Sequence, residues 1–364
     1  MVAQSFPAKK WRSQEAFSLE SGETLPGLEI AYETWGRLSP EGDNVVVILH
    51  ALSGSSHAFS SEENPEPGWW EGLWDEGAPL RSGKYHIICA NSIGGCYGTT
   101  GPSSINPDTG APYAADFPQV TLRDMIEAQR LFLAGLGIDK PVTLLGGSMG
   151  GMLILHWMCE HPEEVGRAIC LATPPRSEGF TIALRSIQRD AILSDPRYRQ
   201  GRYSEEEFPE DGLSLARKIG MITYRSPAEF NQRFGRDVKD PRNHFSEGLY
   251  EVQSYLDHQG KKFVARFDPN TYLYFSRAMD LFDISDGHDS VAAPFSSCPA
   301  KVLLLAINSD FLVPPAHMSE LHEALAEAGV DVSLHVMDSI HGHDAFLLEA
   351  DQINAHLTCF LQSA

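Results

Sequence analysis

A chain of 364 residues, 42% of them hydrophobic, can bury a large core in one large domain or two. Its formal charge of −21 would repel nucleic acid and anionic membranes, so neither is expected as a partner. The six cysteines (Cys89, Cys96, Cys159, Cys170, Cys298, Cys359) contain no C-x-x-C pair and mostly sit in apolar stretches, as buried free thiols do, which points to a reducing cytoplasm.

The N-terminal run "MVAQSFPAKKWRSQEAF" has no apolar h-region and does not read as a secretory signal. From residue 44 an alternation begins. "NVVVILH" (44–50) and "YHIICAN" (85–91) predict buried strands, and the aromatic "GWWEGLW" (68–74) between them reads as packing rather than a ligand platform. "TLRDMIEAQRLFLAGLGI" (121–138) predicts a helix, with Leu122, Met125, Ile126, Gln129, Phe132, Leu133 and Leu136 at helical spacing and Thr121 with Asp124 as a capping pair. "VTLLGG" (142–147) predicts a strand, followed by a helix that stops near Pro162, and "RAICLAT" (167–173) another strand. The alternation breaks from about Pro174 to Pro294, read as an inserted helical lid (176–294), and the sheet resumes with "KVLLLAI" (301–307) and "VSLHVMD" (332–338). Apolar strands alternating with helices predict a mostly parallel α/β sheet covered on both faces, with core segments 1–175 and 295–364. The longest apolar runs are strand-sized and too short to span a bilayer.

"TLLGGSMGGMLILHW" (143–157) strips the side chains from both sides of Ser148. No lysine follows for a phosphate-binding loop, and Ser148 fills the second glycine position of a dinucleotide fingerprint. What remains is G-x-S-x-G between strand and helix, a nucleophile elbow that holds the serine on a strained turn. A serine hydroxyl needs a histidine to take its proton and a carboxylate to hold that histidine, in chain order Ser, acid, His. "NSDFLVPP" places Asp310 after one late strand, and "SIHGHDAF" places His341 and His343 after the next. Either could instead be ordinary loop chemistry: a turn carboxylate and surface histidines. Backbone amides of Met149 and of Leu52, in "HALSG", are the expected oxyanion donors. His156, Cys159 and His161 lie close together but sit on the packing helix, so no metal is expected.

With these residues in place, the chain resembles the homoserine O-acetyltransferase family of α/β-hydrolase-fold acyltransferases over nearly its whole length. The resemblance rests on "YETWGRLSP" with "NVVVILHALSGSSH", on "NSIGGCYGTTGPSSINPDTGAPYAADFPQVTLRDM" (91–125), on "GGSMGGM", on "GLSLARKIGMITYRS" (212–226) and on "HGHDAFLLE" (341–349). It implies Ser148 as nucleophile, Asp310 as orienting acid and His343, rather than His341, as base. It further implies Arg217 and Asp344 as contacts for a zwitterionic acceptor, with Tyr224 nearby. Acetyl-CoA would be the donor and L-homoserine the acceptor, with no resident cofactor and with a homodimer through the lid. The chain departs from the family pattern at Arg185, in "ATPPRSEGF", which carries Arg176, and in "LRSGKYHIIC". An arginine in the acyl pocket would favour a succinyl donor, so a homoserine succinyltransferase and a serine O-acyltransferase are the alternatives. A serine esterase is the alternative from another class. Residues 216–245 add seven basic side chains (Arg217, Lys218, Arg225, Arg233, Arg236, Lys239, Arg242) against Glu229, Asp237 and Asp240, which would suit the anionic CoA or form an ordinary solvated face.

Overall fold

Uninterrupted runs of valine, isoleucine and leucine are stable only in strands covered on both faces. They lie there in the computed structural model, which describes residues 8–239 and 250–362. The strands are β1 (Lys9–Arg12), β2 (Phe17–Ser18), β3 (Thr24–Leu25), β4 (Glu29–Gly36), β5 (Val45–Leu49), β6 (His86–Ala90), β7 (Val142–Gly147), β8 (Val165–Leu171), β9 (Lys301–Ile307) and β10 (Asp331–Met337). All but β2 and β3, which pair separately, form an eight-stranded sheet in the order β1-β4-β6-β5-β7-β8-β9-β10. Pairing is parallel from β6 to β10 and antiparallel at β1–β4 and β4–β6. This is the mostly parallel α/β sheet expected from the strand pattern, in the α/β-hydrolase arrangement that the resemblance implies.

Along β5 the side chains divide between two cores. Val45, Val47 and Leu49 pack with Phe132, Leu153 and Leu321 on one face, while Val46 and Ile48 pack with Trp70, Leu357 and Phe360 on the other. The helices supplying those partners are α1 (Leu122–Gly135) and α2 (Met149–Glu160), then α8 (Pro315–Glu327) on the first face, with α10 (Ala350–Gln362) on the second. Between β8 and β9 lie α3 (Gly179–Leu193), α4 (Glu210–Tyr224), α5 (Pro227–Phe234), α6 (Glu251–Val264) and α7 (Pro269–Asp280). Of these, α3, α4, α6 and α7 share a third apolar cluster around Leu213, Phe263, Phe267 and Tyr272. The short α9 (Ala345–Leu348) precedes α10. Among the described residues no helix is long and apolar enough to cross a membrane. The cysteines are free, four of them buried, with Cys159 half-buried and Cys359 exposed.

Two differences from the sequence reading have physical causes. The antiparallel strands β1 and β4 precede residue 44 and were not expected. β1 ("KKWR") is a short, charged edge strand whose Lys10 and Arg12 pair with Glu29, and β4 buries Ile30 and Ala31 in succession, so neither shows clean periodicity. The second is the end of α1, which stops at Gly135 rather than near residue 138. Gly137 takes a left-handed φ of 76°, and the amides of Gly137 and Ile138 return to the carbonyls of Ala134 and Leu133.

The start of α1 follows its capping pair. Thr121 Oγ1 accepts from Asp124 N at 3.2 Å, and Asp124 Oδ2 accepts from Thr121 N at 2.8 Å. Asp124 Oδ1 also accepts from Glu20 N, tying the β2–β3 hairpin to the helix. Thr121→Ala should therefore lower unfolding free energy by about 1 kcal/mol, read from urea midpoints at unchanged slope.

Candidate active site

The sheet reverses its winding at β5, whose neighbours are β6 and β7, so the loops at the carboxyl ends of the strands diverge there and leave a crevice. Ser148 stands between β7 and α2 with φ 55° and ψ −120°, a conformation that costs an L-residue roughly 1–3 kcal/mol. Its neighbours explain the glycines. A Cβ on Gly150 would overlap the Leu49 carbonyl of β5, and one on Gly151 would overlap the Thr173 side chain. The turn fits only because both are bare.

Asp310 lies just after β9 and is 3% exposed; its Oδ1 accepts from the amides of Leu312 and Val313, each at 2.9 Å. Its Oδ2 lies 2.7 Å from His343 Nδ1, in the loop after β10, and His343 Nε2 lies 2.9 Å from Ser148 Oγ. An Nδ1–H donating to Asp310 leaves Nε2 bare to accept the serine proton. Burial works to lower the His343 pKa, but the charge and hydrogen bond of Asp310 outweigh it and hold the imidazole above its ordinary 6.5. His341 points elsewhere, with Nδ1 3.2 Å from Glu229. Met149 opens α2, where first-turn amides have no partner within the helix, and Leu52 lines the same cavity as Ser148.

That cavity is about 110 Å³, with Leu184, Met279, Leu312 and Phe346 as apolar wall. Arg217, Tyr224, Asp344 and Arg185 also line it. The Arg217 guanidinium lies 4.9 Å from the Phe263 ring centre and 5.7 Å from that of Tyr224, and has no ion pair among the described residues. It also borders a wider cavity of about 960 Å³ with Trp69, Tyr97, Lys262 and Arg266. Asp344 is held by Arg225 Nε at 2.8 Å; burial raises its carboxyl above the usual range, against the pull of Arg225 and Arg217.

The two arginines expected at an acyl pocket fare differently. Arg185 reaches the cavity, but its Nε donates to Asp280 at 2.6 Å, and Arg189 takes the other oxygen of that carboxylate. Arg176 does not reach it: it forms ion pairs with Glu320 and Glu178, because its chain position just after β8 turns it along the outside of α8. Most of the basic stretch is also spoken for. Lys218 pairs with Asp257, Arg225 with Asp344 and Glu229, and Arg233 and Arg236 lie over Tyr255 and Tyr250. Arg242 and Asp240 fall outside the described residues. His156 packs edge-on to Phe282 and His161 pairs with Glu127, while "GWWEGLW" buries Trp70 against Phe346 and turns Trp69 toward the wider cavity. The sequence reading named Arg225 only as one of the basic stretch and did not single out Arg266, whose Nη1 donates to Ser53 O and Tyr97 Oη; an arginine's sequence neighbours carry no signal of a distant partner. His50, which the sequence reading placed at the end of the strand 44–50, gave no sign there of its two ring contacts.

Comparison with known proteins identifies the fold and the family. Residues 44–350 match the model of the alpha/beta hydrolase fold family. A homoserine O-acetyltransferase of Moorella thermoacetica is 44% identical over 351 residues, covering 96% of this chain and 94% of that one. The crystal structure of homoserine O-acetyltransferase from Bacillus anthracis superposes with a TM-score of 0.90 at 28% identity, covering 98% of each chain. That of an esterase superposes at 0.88 with 27% identity, covering 98% of this chain and 100% of that one.

A serine relayed through histidine to a buried carboxylate is a general nucleophile toward acyl and phosphonyl electrophiles. A fluorophosphonate should label Ser148 alone, as read by peptide mass spectrometry. Asp310→Asn should slow that labelling on the order of 10³–10⁴-fold, because the imidazole then loses the acceptor that fixes its tautomer.

Proposed function

This chain belongs to the homoserine O-acetyltransferase family, and we propose that Ser148, His343 and Asp310 carry its reaction, the transfer of an acetyl group from acetyl-CoA to the hydroxyl of L-homoserine on the way to methionine. His343 Nε2 takes the Ser148 proton as Oγ attacks the thioester carbon. The developing oxyanion is met by the amides of Leu52 and Met149. Collapse breaks the C–S bond, and His343 returns the proton to the departing CoA thiolate. Homoserine then gives its hydroxyl proton to His343 and attacks the acyl-serine; collapse of that second intermediate returns the proton to Ser148 and releases O-acetylhomoserine. No step needs a resident metal or cofactor, and acyl-CoA enters as co-substrate.

The observation that carries this reading is Arg217, a guanidinium with no ion pair among the described residues, beside the largely covered carboxylate of Asp344 on the wall of the Ser148 cavity. Such a pair suits a zwitterion: Arg217 takes the α-carboxylate, while the Asp344 oxygen not engaged by Arg225 accepts the ammonium, with Tyr224 closing the same wall. A plain esterase has no use for either charge. For the donor, the Nε of Arg185 is already engaged by Asp280, a carboxylate it shares with Arg189, which supports acetyl over succinyl. Lys262 and Arg266, on the wider cavity, suit the CoA phosphates. Homoserine rather than serine is the acceptor read from the family.

Residues 176–294 act in this reading as a lid on the core formed by 1–175 and 295–364. Phe180 and Ile187 of α3 with Leu215 and Ile222 of α4 are exposed, each by half or more, and support a homodimer through that lid. The enzyme would work in the cytoplasm, where its thiols stay reduced.

Two measurements test the reaction. Intact mass spectrometry after mixing with acetyl-CoA should show one acetyl adduct, absent in Ser148→Ala, and initial rates against acetyl-CoA at several homoserine concentrations should give parallel lines. Release of CoA at full speed with water alone would favour the esterase. The second is a pH profile. A base whose pKa is raised is protonated and inactive below it, so kcat/KM for acetyl-CoA should fall as pH drops through a midpoint above 6.5, and Asp310→Asn should move that midpoint down.

A further inference from the structure

His50 follows β5 directly and is 2% exposed. The Ser92 amide donates to its Nε2 at 3.0 Å, so Nε2 carries no proton. Its Nδ1 lies 2.9 Å from the Ala51 carbonyl oxygen, which can only accept, so the proton sits on Nδ1. One neutral tautomer satisfies both contacts. The imidazolium does not, since its second proton would face the Ser92 N–H; burial pushes the pKa down to about 4, against the pull of the Ala51 carbonyl. The Gly54 amide reaches the same carbonyl at 2.9 Å, and a Cβ on Gly54 would come within 2.8 Å of the His50 Cβ, so the loop is folded tightly over the ring.

The consequence lies one atom away. Every peptide bond among the described residues is trans, so the Ala51 carbonyl and the Leu52 N–H point to opposite sides of one rigid plane. Fixing the oxygen toward His50 and Gly54 fixes the direction of the Leu52 N–H. Ala51, Leu52 and Ser148 line one cavity.

We propose that His50 is a positioning residue for acyl transfer, which aims the Leu52 amide at the oxyanion by donating from Nδ1 to the Ala51 carbonyl. The proposal rests on the acyl-transfer reading above and adds to it how the oxyanion donor is held. His50 does not touch substrate. Both of its ring nitrogens are engaged, so it is no spare base. Its effect falls on the transition state, where charge develops on the carbonyl oxygen, and not on ground-state binding.

The test has two arms. In the wild type, long-range ¹H–¹⁵N correlations of the histidine rings should show His50 protonated at Nδ1, bare at Nε2 and not titrating between pH 5 and 8. A proton on Nε2, or titration in that range, overturns the proposal without any variant. In the second arm, His50→Asn keeps an amide donor near the Nδ1 position, whereas His50→Gln places its amide at the Nε2 end and abandons the Ala51 carbonyl. Acyl-enzyme formation from acetyl-CoA, normalised to active sites titrated with fluorophosphonate, should slow about 10- to 100-fold in His50→Gln and stay within about threefold of wild type in His50→Asn, given that losing an oxyanion donor outright costs about 10²–10³-fold. KM for homoserine should be unchanged in both. Equal rates in His50→Gln and wild type, or equal losses in the two variants, overturn the proposal. If His50→Gln does not fold, the tautomer decides alone. A wild type that forms no acyl-enzyme at all would instead sink the acyl-transfer reading, a result distinct from any of these.

Discussion

Where α2 crosses β5, the Gly150 backbone and the Leu49 carbonyl leave no room for a methyl group. That approach brings the amino end of α2 against the carboxyl end of the sheet, and the chain can join them only through a residue with positive φ. Ser148 is that residue, and its strain of roughly 1–3 kcal/mol is held by the packing of Leu144, Leu145, Leu153 and Ile154 on either side of the turn. The same contact presents the hydroxyl outward, starts a helix whose first amides have no partner within it, and sets the height at which the loops after β5, β9 and β10 must meet.

Around that turn the charges are arranged by subtraction. A buried ion is costly unless paired, and most of the ions near the cavity are paired: Asp310 with His343, Asp344 with Arg225, and Arg185 and Arg189 with Asp280. Arg217 lies against aromatic faces and makes no ion pair among the described residues. A cation placed at a cavity wall in that way keeps its hydrogen-bonding capacity for something that enters. The neutral His50 applies the same rule to a group that must not be charged, since its two ring nitrogens are spent on one donor and one acceptor.

The elements that carry these groups were legible in the sequence to very different degrees. β7 and β9 fall on the residues their apolar runs mark, and α1 begins at its capping pair, because each is decided within a few residues by burial or by a cap. β1 and β4 were not legible: β1 is an edge strand selected by its neighbour, and β4 buries two residues in succession, so neither shows a clean alternation.

The site divides along the same line. The glycines around Ser148, and the order serine, acid, histidine at successive strand ends, are properties of the chain and could be read from it. Which of His341 and His343 faces the serine was not readable from the spacing and came only from the family resemblance. The two are two residues apart, and the left-handed Gly342 between them, packed on the Ser226 amide, sends one ring to Ser148 and the other to Glu229. The fate of the arginines was equally hidden. Arg176, Arg185 and Arg225 each form an ion pair, with Glu320, Asp280 and Asp344, while Arg217 forms none among the described residues, and their sequence neighbours do not show the difference. Local periodicity, caps and turn chemistry act over a few residues, so the sequence determined the strands, the elbow and the order of its partners. The ion pairs of Arg185 with Asp280 and of Arg225 with Asp344 join residues 95 and 119 positions apart, so only the tertiary structure decided which of the cations at the cavity are paired.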